Sequence, residues 1–448
     1  MASGTHERKC IKKIRRKQCI ANCFKKSKNK MEVYKFGGAS VKNANGVRNI
    51  LNTIQKLGKN KVLIVISAMG KMTNAFERIV DSYFNNEEDM PERIDFVVDF
   101  HKEIIDDLFV DNKQHVNNEI NNLFDELKNF LLKNNSLDYN YVYDQIVSKA
   151  ELISTKICSI YLSDKNIENN WVDVRKCIKS NSDFRRAKVD WSKTCELINK
   201  HIDKSSITIT QGFIASDNNG KTTTLGREGS DYTAGIFAYC LQAKDVTIFK
   251  DVAGVLNADP KEFNDTILLN EISYKEAIEM AFFGASVIHP KTLQPLQRKE
   301  IPLYVKSFIN PREQGTVVRK GIDLEPKTPC FIIKKEQILL SISDKEFHFI
   351  MEDDISEIFD YLHQFRMKVN LIQNSAISFS VCIEDNFNNF KLLLDKLHSR
   401  YKILYNKDLT LYTIRHFDEK AINEIENDKE VLVKQQSRET VQIIVKTE

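Results

Sequence analysis

The sequence has no apolar run approaching the roughly 18 residues that a membrane-spanning helix needs. None of its nine cysteines forms a CxxC pair. Such scattered thiols are expected to be reduced and mostly buried, which suits a cytoplasmic protein. There is neither a Walker A loop nor a GxGxxG, so no single phosphate-binding motif decides the function. Glycine is absent after Gly321, and no catalytic constellation is visible in that last part.

A basic body is also lacking. The formal charge of +4 comes from the first 30 residues, which carry eleven Lys or Arg against one acid, Glu7. The remainder is net acidic, so nucleic acid is not an expected partner. The arm lacks the apolar core of about 7–15 residues that a secretory signal requires. Its only serines are Ser3 and Ser27, unlike the serine-rich organellar peptides. We expect residues 1–30 to be a disordered arm, with Met31 an alternative start. Cys10, Cys19 and Cys23 fit no standard zinc spacing.

What is present is ordinary for a soluble globular chain: 42% hydrophobic and 29% charged residues. A length of 448 residues predicts two or three domains. Glu32–Phe36 reads as a strand running into Gly37-Gly38, with a helix from about Val41 to Leu57. The continuous apolar run Lys61–Ile66 marks a strand buried on both faces. Residues 75–165 read mainly as helices, with surface turns expected near Asn117–Asn122 and Lys133–Asn135. Strands follow at Ile207–Ile214, Thr222–Thr224 and Asp245–Phe249, with a helix from Ser230 to Gln242 that Ser230 would cap. Another helix is expected over Ser273–Phe283.

This alternation predicts an α/β fold, a three-layer sandwich around a mostly parallel sheet. Ligands bind such sheets at the carboxyl ends of the strands. Lys35–Ser40, Ser67–Thr73, Gln211–Phe213 and Lys250–Pro260 all fall there. Texture changes near Pro311–Gly315 and Glu325–Pro329, after which short strands and helices recur. We expect residues 31–320 to be catalytic and 330–448 to be paired α+β units that sense, dimerise or both.

Each motif has two readings. Lys35-Phe-Gly-Gly-Ala-Ser40 could cradle phosphates on backbone N–H groups, with Lys35 neutralising a transferring phosphoryl group; it could equally be a tight turn with a surface lysine. Ser67 and Thr73 suit a substrate or plain turn chemistry. Glu151 could hold an ammonium or simply favour a first helical turn. Arg227 and Asp231, four apart, could form a structural ion pair; Gly226 and Gly229 instead argue for close approach of an anion to a helix N-terminus. Lys250–Pro260 could be a nucleotide loop or an ordinary surface loop. His289-Pro290 is taken as a structural turn.

Together these segments resemble aspartate kinase, of the amino-acid kinase family. The resemblance rests on Lys35–Ser40, Ser67-Ala68 with Thr73-Asn74, Glu151–Thr155, Thr210–Phe213, Thr222–Thr233, Asp251 through Asp259-Pro260, and Phe283–Pro290, in the family's order. Residues 330–448 look like the ACT regulatory domains that follow such a catalytic domain. The resemblance implies transfer of the ATP γ-phosphate to the β-carboxylate of L-aspartate, a step toward lysine, threonine and methionine. The nucleophile is already an anion, so no general base is required. By the resemblance, Lys35 bridges the phosphates and Asp231 orients Lys35, both as catalytic residues. Arg227 clamps a substrate carboxylate, helped by Ser67, Thr73 and Ser230; Glu151 pairs with the ammonium and Phe213 supplies a backbone or packing contact. Lys35, Gly37, Gly38, Ser40, Lys250, Asp251, Asp259 and Lys261 serve the nucleotide. Mg²⁺ rides on the ATP phosphates without a dedicated protein metal site. A homodimer is implied.

Departures stand out. Ala39 replaces a threonine, Glu228 a glycine, Leu256 a nucleotide-stacking tyrosine and Ser286 a lysine. Lys250 or Lys261 could compensate for the last. In the regulatory part Asp344–Phe349 and Asn370–Ser375 both depart from the family's effector segments. Asn370, Asn374 and Ser375 remain candidates for an amino-acid effector, against a dimerisation domain with none. Two other functions stay open: a related kinase acting on another carboxylate, and an amino-acid-binding regulator with a degenerate kinase lobe.

Overall fold

The computed structural model describes residues 30–285, 288–321, 324–346 and 348–446. The basic arm up to residue 29 and Ser286 therefore lie outside the described residues. The chain divides into two compact units. One runs to Val255 and adds Leu268–Ile278 and Val287–Asp323; the other holds Leu256–Ile267, Glu279–Ser286 and everything from Leu324.

The first unit begins with β1 (Glu32–Phe36), a 3-10 turn at Gly38–Val41, α1 (Ala44–Leu57) and β2 (Val62–Ile66). Asn43 caps α1 by accepting from the Gly46 N–H, and Gly58 ends it in the left-handed conformation. Four helices follow: α2 (Met72–Asn85), α3 (Met90–Leu108), α4 (Lys113–Lys133) and α5 (Tyr139–Asp164). The turn expected at Asn117–Asn122 instead lies within the first half of α4. Val116, Ile120, Phe124, Leu127 and Leu131 recur at helical spacing there and are all buried. That apolar stripe overrides the poor helix propensity of the asparagines.

Next come β3 (Asn169–Val172), α6 (Trp191–His201), β4 (Ile207–Gln211), the hairpin β5 (Ile214–Ser216) and β6 (Thr222–Thr224), α7 (Gly229–Leu241) and β7 (Val246–Lys250). The unit goes on with β8 (Glu271–Ser273) and the start of α8 (Tyr274–Phe283), whose residues from Glu279 count with the second unit, and closes with α9 (Pro290–Lys299), β9 (Leu303–Ser307) and β10 (Thr316–Arg319). Within this unit the strand order is β8-β10-β9-β7-β1-β2-β4-β3. Among the described residues of this order, only the β9–β10 pair is antiparallel. β1, β2 and β4 are completely buried, as a sheet covered on both faces requires.

Two expectations are corrected. Ser230 does not cap α7: Glu228 occupies the cap position, in the left-handed region at φ 53°, and Ser230 lies in the first turn. The thiols are not all reduced either. Cys195 on α6 and Cys240 on α7 form a disulfide, their Cα atoms 4.8 Å apart. They are 45 residues apart in sequence, so only helix packing brings them together. Cys158, Cys177 and Cys382 are buried thiols outside any disulfide.

The second unit is built on an antiparallel sheet. After the short β11 (Leu324–Glu325) come β12 (Cys330–Asp344), α10 (Glu352–Gln364), β13 (Lys368–Asn374), β14 (Ser378–Glu384), α11 (Phe390–His398), β15 (Tyr401–Arg415), α12 (Glu419–Glu426), β16 (Val431–Gln436) and β17 (Thr440–Lys446). The order is β13-β14-β12-β15-β17-β16. Two β-α-β-type halves share this sheet, with Leu340, Ile358, Leu393 and Phe379 in one core and Ile414, Ile425 and Ile443 in another. Leu256–Ile267 belongs to this second unit. Phe263 lies against Phe331 with ring centroids 4.8 Å apart, and Asn257 bonds to Phe331 and Pro329.

Candidate active site

A cleft of about 500 Å³ opens at the carboxyl ends of β1, β2, β4 and β7. It is lined by Lys35, Gly38, Ser67, Thr73, Glu151, Phe213, Arg227, Ser230, Asp231 and Lys250, among others. Ten site residues expected from sequence thus share one cavity, though they span 216 positions of the chain.

Lys35 is the penultimate residue of β1 and points at the first turn of α7. Its Nζ is 2.6 Å from Asp231 Oδ1, with side chains only 10% and 4% exposed. A buried pair of this kind is costly to break, because the survivor is left as an uncompensated charge. Arg227 is exposed at the cleft mouth, just before the helix. Glu151 comes from the fully buried stretch of α5. One of its carboxylate oxygens, Oε2, is buried and has no hydrogen-bond partner. Burial raises the Glu151 pKa to about 8, against the opposing pull of the Ala68 N–H and the Lys35 charge.

The cleft depends on backbones that approach closely. A Cβ on Gly229 would sit 2.6 Å from Phe213 Cδ2, and one on Gly212 would sit 2.5 Å from the Ser230 hydroxyl. These two glycines let the β4–β5 corner press against the start of α7. Phe213 is held there at φ 71°, its N–H donating to Thr233 Oγ1 at 3.0 Å.

Other expected residues lie elsewhere. Gly37 is beside the Lys35 ammonium without lining the cleft. Ser40 is buried, its hydroxyl donating to the Phe249 carbonyl at 3.4 Å. Asp251 is exposed and outside the cleft lining. Asp259 and Lys261 belong to the second unit, where Asp259 Oδ1 accepts from the Lys261 N–H. Leu256 also belongs to that unit. His289 caps α9, accepting from the Lys291 N–H, which fits a structural turn. Of the effector candidates, Asn370 bonds to Lys334 and Gln337, Ser375 bonds to Ser378 across the β13–β14 turn, and Asn374 is exposed.

Sequence reasoning missed Tyr143, Arg185 and Gly70, which also line the cleft. Tyr143 stands two helical turns before Glu151 on α5, a spacing that could have revealed it. Arg185 sits in a loop without a motif and gave no signal.

A buried lysine–aspartate pair, a helix N-terminus rich in close-approach glycines and an arginine at the mouth define a phosphoryl-transfer domain at the end of a parallel sheet. The chain belongs to the amino acid kinase family, whose model matches residues 30–307. Within that family its kinship is with aspartokinases. Lysine-sensitive aspartokinase 3 of Escherichia coli (strain K12) is 32% identical over 356 residues, covering 79% of this chain and 78% of that protein. Bifunctional aspartokinase/homoserine dehydrogenase 2 of Arabidopsis thaliana is 28% identical over 383 residues. This chain spans 42% of that longer relative. The solved structure of E. coli aspartokinase III with lysine and aspartate superposes at a TM-score of 0.79 with 27% identity, covering 93% of this chain and 96% of that one. Its complex with aspartate and ADP gives 0.76. Among the described residues no helix is long and apolar enough to cross a membrane.

Proposed function

We infer that this chain is an aspartate kinase, transferring the ATP γ-phosphate to the β-carboxylate of L-aspartate. The observation that carries the reading is the 2.6 Å Lys35–Asp231 pair in a cleft that also holds Arg227 and a buried, half-unpartnered Glu151. The attacking carboxylate needs no base, so the chemistry is positioning and charge stabilisation. Lys35 would neutralise the transferring phosphoryl group while Asp231 fixes its direction. Arg227, with Ser67, Thr73 and Ser230, would hold a substrate carboxylate, and Glu151 would take the α-ammonium. Gly38 and Lys250 lie in the same cleft and would face the phosphates. Mg²⁺ would arrive on ATP as part of that substrate. The E. coli relative solved with aspartate and ADP supports this substrate pair.

The product would feed the lysine, threonine and methionine routes, in a cytoplasmic setting. We assign homodimer formation to the second unit, where β13 is an edge strand with Ile372 exposed. Asn370, Asn374 and Ser375 are proposed to face an amino-acid effector there. The test is an ATP-dependent hydroxamate assay with L-aspartate, repeated with lysine, threonine and methionine. Hydroxamate formation is expected with intact protein; no product with aspartate would overturn the reading.

A further inference from the structure

Arg185 is a cationic cleft residue to which the proposed reaction gives no role. Its backbone is left-handed, at φ 67°, a conformation that favours glycine and that a long side chain adopts at a cost. The loop is nevertheless held firmly. The Arg185 N–H donates to Asp144 Oδ2 at 3.0 Å, and the same carboxylate accepts from Thr224 N–H at 2.8 Å and Thr224 Oγ1 at 2.7 Å. A Cβ on Gly226 would lie 3.3 Å from the Arg185 carbonyl, so the loop rests on the residue next to Arg227.

The side chain is equally directed. Its guanidinium lies over the Tyr143 ring at 4.1 Å and the Tyr139 ring at 5.6 Å. Stacking fixes the plane of the donor fork and leaves its edges for acceptors. One edge donates to Glu77 Oε1 at 3.1 Å. Glu77 is four residues after Thr73 on α2, so the fork overhangs the helical face that presents Thr73 to the cleft. The Glu77 pair is about one-third exposed on both sides, a contact that a better-placed carboxylate can replace at little cost.

We propose that Arg185 is a substrate-binding residue that grips the α-carboxylate of the amino acid together with Arg227, exchanging Glu77 for the substrate. This rests on the aspartate kinase reading. Aspartate brings two carboxylates: one must stay free to attack, and the other needs cationic donors of its own. Glu77 holds the fork in place while the cleft is empty and competes for it when substrate arrives.

Arg185→Gly is the variant of choice, because glycine suits the backbone at φ 67° and should preserve the fold. Steady-state kinetics should show the KM for aspartate raised roughly ten- to hundredfold, the loss of a hydrogen bond to a charged group. kcat should fall less, and the KM for ATP should stay near wild type. Preference for aspartate over its α-amide should shrink by a similar factor, since the amide lacks the charge that Arg185 reads. Glu77→Gln should lower the KM for aspartate. A purely structural Arg185 would instead lower the thermal midpoint and disturb both substrates alike. An unchanged KM for aspartate in folded Arg185→Gly, with wild-type turnover intact, overturns this assignment alone. Absence of aspartate turnover in the wild type overturns the underlying reading.

Discussion

Glu151 supplies a measurement in which the protonation of one buried group is read as heat. Its pKa is raised to about 8, first by burial. At pH 7 it is then about nine-tenths protonated, by simple titration from that value. An α-ammonium placed on its unpartnered Oε2 would favour the carboxylate and expel the proton. Aspartate binding at pH 7 should therefore release about 0.9 proton, falling to about 0.1 near pH 9. The dissociation constant should tighten about fiftyfold between pH 6 and pH 8, as the ionised fraction grows. Titration calorimetry in buffers of different ionisation heat counts the protons directly. Glu151→Gln should release almost none and lose the pH dependence. A wild-type release below about 0.3 proton at pH 7, or an equal release in Glu151→Gln, would refute the reasoning. The same group makes a statement about stability. A carboxyl whose folded pKa lies above its unfolded value favours folding at low pH, and that contribution is lost as pH rises from about 4.5 through about 8.

Lys35→Ala and Asp231→Ala should each cut kcat by orders of magnitude in the hydroxamate assay, since the proposed mechanism makes their contacts strengthen in the transition state; near-wild-type turnover in either would remove it from the mechanism. Gly229→Ala should impair aspartate binding and lower stability by about 1–3 kcal/mol, because its Cβ meets Phe213 at 2.6 Å; an unchanged thermal midpoint would show that the corner can yield. Glu32 is taken upward by burial and then well below its usual value, to about 2, by hydrogen bonds from Lys244, Lys59 and Tyr34. Its contribution to stability is present above about pH 4.5 and lost as pH falls toward 2; allowing for solvent screening, Glu32→Gln should cost about 1–2 kcal/mol in neutral denaturant titrations and little at pH 2.

The exposed edge strand of the second unit, proposed above as the dimer contact, offers a simpler check. Ile372→Lys on β13 should shift the chain from dimer to monomer in sedimentation, while leaving Lys35 and Asp231 untouched. A dimer that survives the change would place the interface elsewhere.

The sequence alone determined the elements whose chemistry is local. Lys61–Ile66 could be placed as a two-sided strand from its run of apolar residues, and Gly226 and Gly229 pointed to Arg227 and Asp231, whereas Lys35 read equally as a surface lysine until the resemblance gave it a role. Local pattern failed where packing chose the outcome. The asparagines of α4 predict turns, but a buried stripe of Val116, Ile120 and Phe124 makes a helix of them. Cys195 and Cys240 carry no pairing signal at a separation of 45 residues; α6 and α7 supply it by packing together. Asp259 and Lys261 look like a continuation of the β7 loop, yet Phe263 draws that segment onto Phe331 of the second unit. Arg185 is the plainest case. Nothing in its own segment marks it, because its position is set by Asp144 and its orientation by Tyr143 and Glu77, each from a different part of the chain. Sequence fixes which groups are available, since propensity and glycine placement act over a few residues. Tertiary structure decides which of them meet, since burial and charge pairing act across the fold.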